Sequence, residues 1–150
     1  MTLTSIAFGL ISGFIGWILT EFFAKPFRRG MDLVIEVRTK AIIYGNVPAK
    51  YQSQAADGNG PYVPTDAANE DLARLRSAEE GYRELGAKLQ AFAKTEPLAT
   101  WGLRLFGLKV AEAGVALLSV SNTLGVYGLE RRNSMARLEA ALRMHSSKER

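Results

Sequence analysis

Residues 3–23 read LTSIAFGLISGFIGWILTEFF, and no charged side chain interrupts them before Glu21. A helix needs roughly 20 apolar residues to cross the ~30 Å hydrocarbon core of a bilayer, and Leu3 to Phe23 meets that length. Trp17, Phe22 and Phe23 fall towards the C-terminal end, where aromatic rings favour the lipid–water boundary. Glu21 lies at the same end, within reach of water. A secretory leader would carry a basic region ahead of a shorter apolar run and a small-residue cleavage site after it. Here no Lys or Arg precedes the run, and it ends on the bulky pair Phe22-Phe23. The stretch is therefore read as an uncleaved transmembrane anchor, residues 1–23.

The residues around this segment orient it. Lys25, Arg28 and Arg29 follow immediately, and the positive-inside rule puts that end in the cytoplasm, with the short N-terminus outside. The same three cations are suited to anionic lipid headgroups. Within the span, small residues recur every fourth position: Ser5, Gly9 and Gly13 form one row, Ser12, Gly16 and Thr20 another. Ser5, Gly9, Gly13 and Gly16 are accordingly candidates for packing against a second membrane helix, since small side chains let helix backbones approach.

Beyond the anchor the chain reads as all-α, a small helical bundle behind a single transmembrane helix. Pro26 and Gly30 predict a bend at the membrane surface. A juxtamembrane helix is assigned to residues 24–44, because Phe27, Gly30, Val34, Val37, Ala41 and Tyr44 share one face at 3-4-3-4-3 spacing. Leu33, Ile35, Ile42 and Ile43 broaden that apolar surface, which predicts burial at the far end. Residues 45–64 contain three prolines, three glycines and no apolar period, which reads as a long flexible loop.

The bundle is assigned to residues 65–145. Thr65 is a candidate N-cap for a helix reaching about Lys94. In it Leu75, Ala78, Tyr82, Leu85, Leu89 and Phe92 repeat the same spacing, and Arg76, Glu80, Arg83, Glu84 and Lys88 occupy the other side. Gly81 and Gly86 weaken this helix somewhat. Thr95 suits an N-cap and Pro97 a first turn for a short helix ending near Gly107. Its Trp101, Leu105 and Phe106 are assigned to the core in preference to a membrane-surface wedge.

Val110, Ala113, Leu117, Val120, Leu124 and Tyr127 form the next stripe, with many small neighbours that imply close helix packing. Residues 113–129 are uncharged, so a second span competes with a bundle helix here. The shortness of the run and its polar and small residues favour the bundle. A last helix covers about Glu130 to Met144, with Met135, Leu138 and Leu142 facing inward. Residues 146–150 should fray.

The chemistry-bearing residues are few. There is no cysteine and one histidine, His145, which excludes disulfides, thiolate metal sites and cysteine nucleophiles. No HExxH, phosphate loop, EF-hand or Gly-x-Ser-x-Gly pattern occurs. Glu79, Glu80 and Glu84 are interleaved with Arg76, Arg83 and Lys88, the pattern of a solvated salt-bridged helix face. No cofactor, metal or catalytic residue is assigned. The net charge of +4 is too mild and too interleaved with acids for a nucleic-acid reader. The expectation is a non-enzymatic, membrane-anchored interaction or scaffold protein at the cytoplasmic face, whose partners are membrane lipid and either another protein or further copies of itself. The alternative is a membrane-active or channel-like oligomer built on the small-residue face of the anchor.

Overall fold

Proline inside a helix removes a hydrogen bond and crowds the preceding turn. In the computed structural model, which describes residues 3–45, 66–124 and 129–144, the chain nevertheless stays helical through Pro26. Helix α1 (Leu3–Leu19) passes through a π turn (Thr20–Ala24) into α2 (Lys25–Tyr44). In the π turn the Lys25 N–H donates to the Thr20 carbonyl, five residues back. Pro26 then sits in the first turn of α2. The irregularity expected over Pro26–Gly30 thus lies upstream of the proline, in a single wide turn, and Pro26–Gly30 are regular α-helix.

The remaining described elements are also helical: α3 (Asp66–Thr95), α4 (Pro97–Leu105), α5 (Val110–Thr123) and α6 (Leu129–Ala141). The core is made by the periodic stripes. Leu75, Ala78, Tyr82, Leu85, Leu89 and Phe92 of α3 are all buried, as are Val110, Ala113, Leu117 and Val120 of α5 with Leu124 just beyond it. From α6 and its end Leu138, Ala141 and Leu142 join them, with Met135 packed at the edge. From α2 come Val34, Val37 and Ala41. Helix α5 lies at the centre, against α3 on one side and α6 on the other, while α2 packs on α3 and α4. At 14 residues, it is shorter than a bilayer crossing requires, and among the described residues only the N-terminal helix is long and apolar enough to span.

Close approach fixes the α3–α5 crossing. A Cβ built on Gly86 would lie 3.1 Å from the Gly114 carbonyl oxygen, and one built on Gly114 would lie 3.1 Å from that of Gly86. The small residues of α5 therefore do mark tight helix packing, and Gly86, which costs α3 some intrinsic stability, is what admits it.

Two helix ends are closed by matching turns. At the end of α4 Gly107 has φ +78°, with Leu108 N–H donating to Leu103 O and Gly107 N–H to Arg104 O. This is a Schellman ending, in which a left-handed residue lets two amides satisfy the last carbonyls. At the end of α6 Arg143 takes the same place with φ 50°, Met144 N–H donating to Glu139 O and Arg143 N–H to Ala140 O. The Arg143 side chain crosses over Gly107 and reaches the Phe106 carbonyl at 3.3 Å. Lys109 N–H donates to Ala141 O at 2.8 Å, and the Arg38 guanidinium of α2 donates to Leu142 O at 2.7 Å. The C-terminal carbonyls of α6 are thus held by α2 and by the α4–α5 connection.

Three local expectations are corrected. Thr95 does not cap α4: its hydroxyl bonds back to Ala91 O at 3.0 Å and closes α3, while Glu96 takes the cap position without a side-chain bond. Ile35, Ile42 and Ile43 are exposed, so full burial in α2 is confined to its 3-4 stripe, with Met31 and Leu33 partly buried against the core. Trp101, Leu105 and Phe106 are not core residues; they are 60%, 67% and 65% exposed. The reason is that α4 presents Ala99, Gly102 and Leu103 to the bundle, and nine residues give only one such face. The 46–64 loop region, Thr65, Tyr127, His145 and the 146–150 tail lie outside the described residues.

Candidate membrane-contacting surface

The apolar stretch of the N-terminal helix belongs to a continuous 40-residue helix, Ser5–Tyr44, and none of its most apolar window is buried in the protein. Ile6, Phe8, Leu10, Ile11, Phe14, Ile15, Trp17 and Leu19 all stand exposed. Apolar burial is the dominant favourable term in folding, and this helix offers a large apolar surface that its own domain leaves uncovered.

Two of its hydroxyls are satisfied within the helix. The Ser12 hydroxyl donates to Gly9 O at 3.1 Å and the Thr20 hydroxyl to Gly16 O at 2.9 Å. Back-bonding of this kind removes the main cost of a hydroxyl in hydrocarbon. Glu21 pairs with Lys25 at 2.5 Å across one helical turn, in the favourable order of acid before base. Of the basic collar, Lys25 is therefore engaged locally, while Arg28 and Arg29 are exposed on the first turns of α2.

The proposed helix-packing residues make no close approach within the chain: a Cβ on Gly9, Gly13 or Gly16 would meet nothing within 4 Å. The Gly9–Gly13 face is open. Around the other end of the apolar stretch the rings form two separate series. Phe14 stacks on Trp17 at 6.0 Å and Trp17 meets Phe22 edge-on at 6.2 Å. Phe23 stacks on Phe27 at 6.2 Å, and Phe27 meets Phe106 edge-on at 5.6 Å. Helix α4 closes on the second series at Gly102, where a Cβ would sit 3.3 Å from the Phe23 ring. Sequence reasoning missed this junction. The signal available was the pairing of a small residue with flanking aromatics in α4, which periodicity alone does not assign to a neighbour.

Elsewhere the structure is sparing with reactive groups. Among the described residues no three His, Asp or Glu side chains group as a metal site would require. Among the described residues the buried polar ones are Ser121, which bonds Leu118 O, and Ser134, which shares a 2.8 Å hydrogen bond with Ser119. Lys88 pairs with Glu84 at 2.7 Å and approaches Glu36 of α2 at 4.0 Å, as a salt-bridged face predicts. Burial pushes the Tyr82 phenol up to about 12. Tyr44, edge-on to it at 5.5 Å, is held below its ordinary value by hydrogen bonding from Ser77 and then by Lys40, against the opposing effect of burial. An open groove of about 340 Å³ between α5 and α6 is lined by Glu112, Val115, Ala116, Ser119, Arg137 and Ala140. No family model, curated protein or solved structure matches this chain.

Proposed function

We propose that this chain is a single-pass, membrane-anchored helical interaction protein, an adaptor or scaffold whose bundle works at the cytoplasmic face. The observation that carries the reading is the Ser5–Tyr44 helix. Its first half is apolar and bare, and its second half contributes Gly30, Val34, Val37 and Ala41 to the bundle core. One rigid element thus joins a lipid-suited segment to a folded domain. The cytoplasmic orientation rests on Lys25, Arg28 and Arg29. The α5–α6 groove and the open Gly9–Gly13 face are the surfaces offered to a protein partner or a further copy. The channel alternative has weaker support, because a pore needs polar groups facing its lumen and the Ser12 and Thr20 hydroxyls are bonded to their own helix.

Carbonate washing of membranes containing the full chain tests the anchor, and a reporter fused after Arg150 tests the orientation. The protein is expected to stay in the pellet and the reporter to read cytoplasmic. Changing Lys25, Arg28 and Arg29 together to Gln should give mixed orientations. Release by carbonate, or a C-terminus on the far side, would overturn the reading. Extraction in mild detergent followed by identification of stoichiometric partners then separates an adaptor from a homo-oligomer.

A further inference from the structure

Helix α4 carries one face that the protein does not cover. Leu98, Trp101 and Leu105 are spaced 3 and 4 apart, so they line one side, and Phe106 continues it past the helix end. These four are 63%, 60%, 67% and 65% exposed. The other side, Ala99, Gly102 and Leu103, is buried. Four large apolar side chains exposed within nine sequence positions make a contiguous patch of the kind that marks an interaction site.

Its place in the fold identifies the occupant. The patch is joined to the apolar helix through Phe106, Phe27 and Phe23, while Gly102, on the covered side of α4, seats the helix against Phe23. That junction falls where the N-terminal helix changes from uninterrupted apolar residues to Lys25, Arg28 and Arg29, the level at which a spanning helix leaves hydrocarbon. Helix α4 itself has no acidic residue, and its one charge is the exposed Arg104. An apolar face with tryptophan, a cationic flank and continuity with a lipid-facing surface is the composition of a helix lying in the headgroup–acyl boundary. A second protein would have to cover the patch while also abutting lipid at Phe23.

We infer that α4 is a second membrane contact, lying along the cytoplasmic interface with Leu98, Trp101, Leu105 and Phe106 in the acyl boundary and holding the bundle flat against the bilayer. The inference rests on the anchored reading above. Two attachment points, one spanning and one interfacial, fix the tilt and rotation of the whole molecule relative to the bilayer, which the spanning helix alone leaves free.

The chain has two tryptophans, one in each membrane element, so each can be isolated in the full-length protein. A Trp17→Phe variant leaves Trp101 as the reporter, and a Trp101→Phe variant leaves Trp17. Both are reconstituted into vesicles of mixed zwitterionic and anionic phospholipid brominated either near the headgroup or near the chain ends. Trp101 emission should shift to the blue and be quenched about twofold more by the shallow bromines than by the deep ones. Trp17 serves as the control for the anchor. Quenching of Trp17 with none of Trp101 overturns the inference and leaves the anchor standing. If neither is quenched, the anchored reading falls and this one with it. Unquenched Trp101 whose emission shifts to the blue only as protein concentration rises would assign the patch to a second copy instead, and also overturns the inference.

Discussion

Gly86 of α3 and Gly114 of α5 face one another so closely that a Cβ on either would lie 3.1 Å from the other's carbonyl oxygen. The opposing atoms are backbone and cannot swing aside. A methyl group on Gly86 would in addition sit 2.9 Å from Leu118 Cγ. Helix propensity rewards Gly→Ala by roughly 0.5–1 kcal/mol, whereas overpacking a close contact costs typically about 1–3 kcal/mol. The second effect wins here because relief requires the two helices to part. Gly86→Ala is expected to destabilise the protein by about 1–2 kcal/mol in a denaturant titration in mild detergent; a stabilised variant would show that the crossing is looser than this.

Leu85 and Leu117 test the stripes themselves. They are 1% and 0% exposed. Leu85→Ala and Leu117→Ala should each cost about 2–5 kcal/mol. Arg83→Ala, on the exposed face of α3, should cost no more than ~0.5 kcal/mol. Equal shifts of the melting midpoint for all three would deny the stripes their role as core.

The hydrogen bond from Arg38 to Leu142 O joins residues 104 positions apart and ties α2 to the end of α6. The contact also places positive charge beside helix carbonyls at the negative end of the helix dipole. Arg38→Met keeps most of the apolar stem and removes the donor. It should lower stability by about 1.5–3 kcal/mol and speed amide exchange in the last turn of α6 ahead of α3. Unchanged exchange there would show that Lys109 N–H alone secures the end.

Alkaline pH should loosen the core through Tyr82. Its folded-state value is raised to about 12 from an ordinary 10.0, so the folded protein holds its proton more tightly than the unfolded chain. The resulting stability is complete below pH ~10 and is lost as pH rises towards ~12, a change of about 2–3 kcal/mol. Tyr44 has the opposite sign: its lowered value makes it ionise more readily when folded. Tyrosinate absorbance should therefore rise in separate steps, Tyr44 before Tyr82. Tyr82→Phe should abolish the last step and flatten the alkaline loss of stability; an unaltered pH profile would remove Tyr82 as its cause.

The parts of this fold that depend on neighbours in sequence were legible before the structure. The six-residue stripe in α3 and the five described residues of the α5 stripe predicted burial position by position, because a helix repeats its face every three or four residues whatever it packs against. The apolar N-terminal helix was equally plain. What the sequence did not disclose was set by distant residues. Trp101, Leu105 and Phe106 read as core because nothing local says that α4 turns Ala99, Gly102 and Leu103 inward, with Gly102 against Phe23 and Phe27, and leaves Trp101 and Leu105 uncovered. Gly86 read only as a weak point, since its partner Gly114 lies on another helix. Thr95 suits a helix start as well as a helix end, and only the path of the chain decided between them. For the candidate membrane surface the long apolar helix and Lys25, Arg28 and Arg29 were visible, while the junction with α4 was not.

The passage of one helix from Leu3 to Tyr44 without a break gears the two halves of the molecule together in azimuth. Each residue advances the helix by about 100° and ~1.5 Å. The row Ser5, Gly9 and Gly13 therefore points in a fixed compass direction relative to Val34 and Val37, which are locked in the core. Copies meeting along that row would bring one chosen side of each bundle into register. A single alanine added after Gly13 would turn the row by about 100°, and seven would restore it to within about 20° while lengthening the shaft by about 10 Å. Since the chain has no cysteine of its own, single cysteines on the bundle surface can record which sides meet. The cross-linking pattern should change with the one-residue insertion and return with the seven-residue one, as it would for two cogs on a common axle.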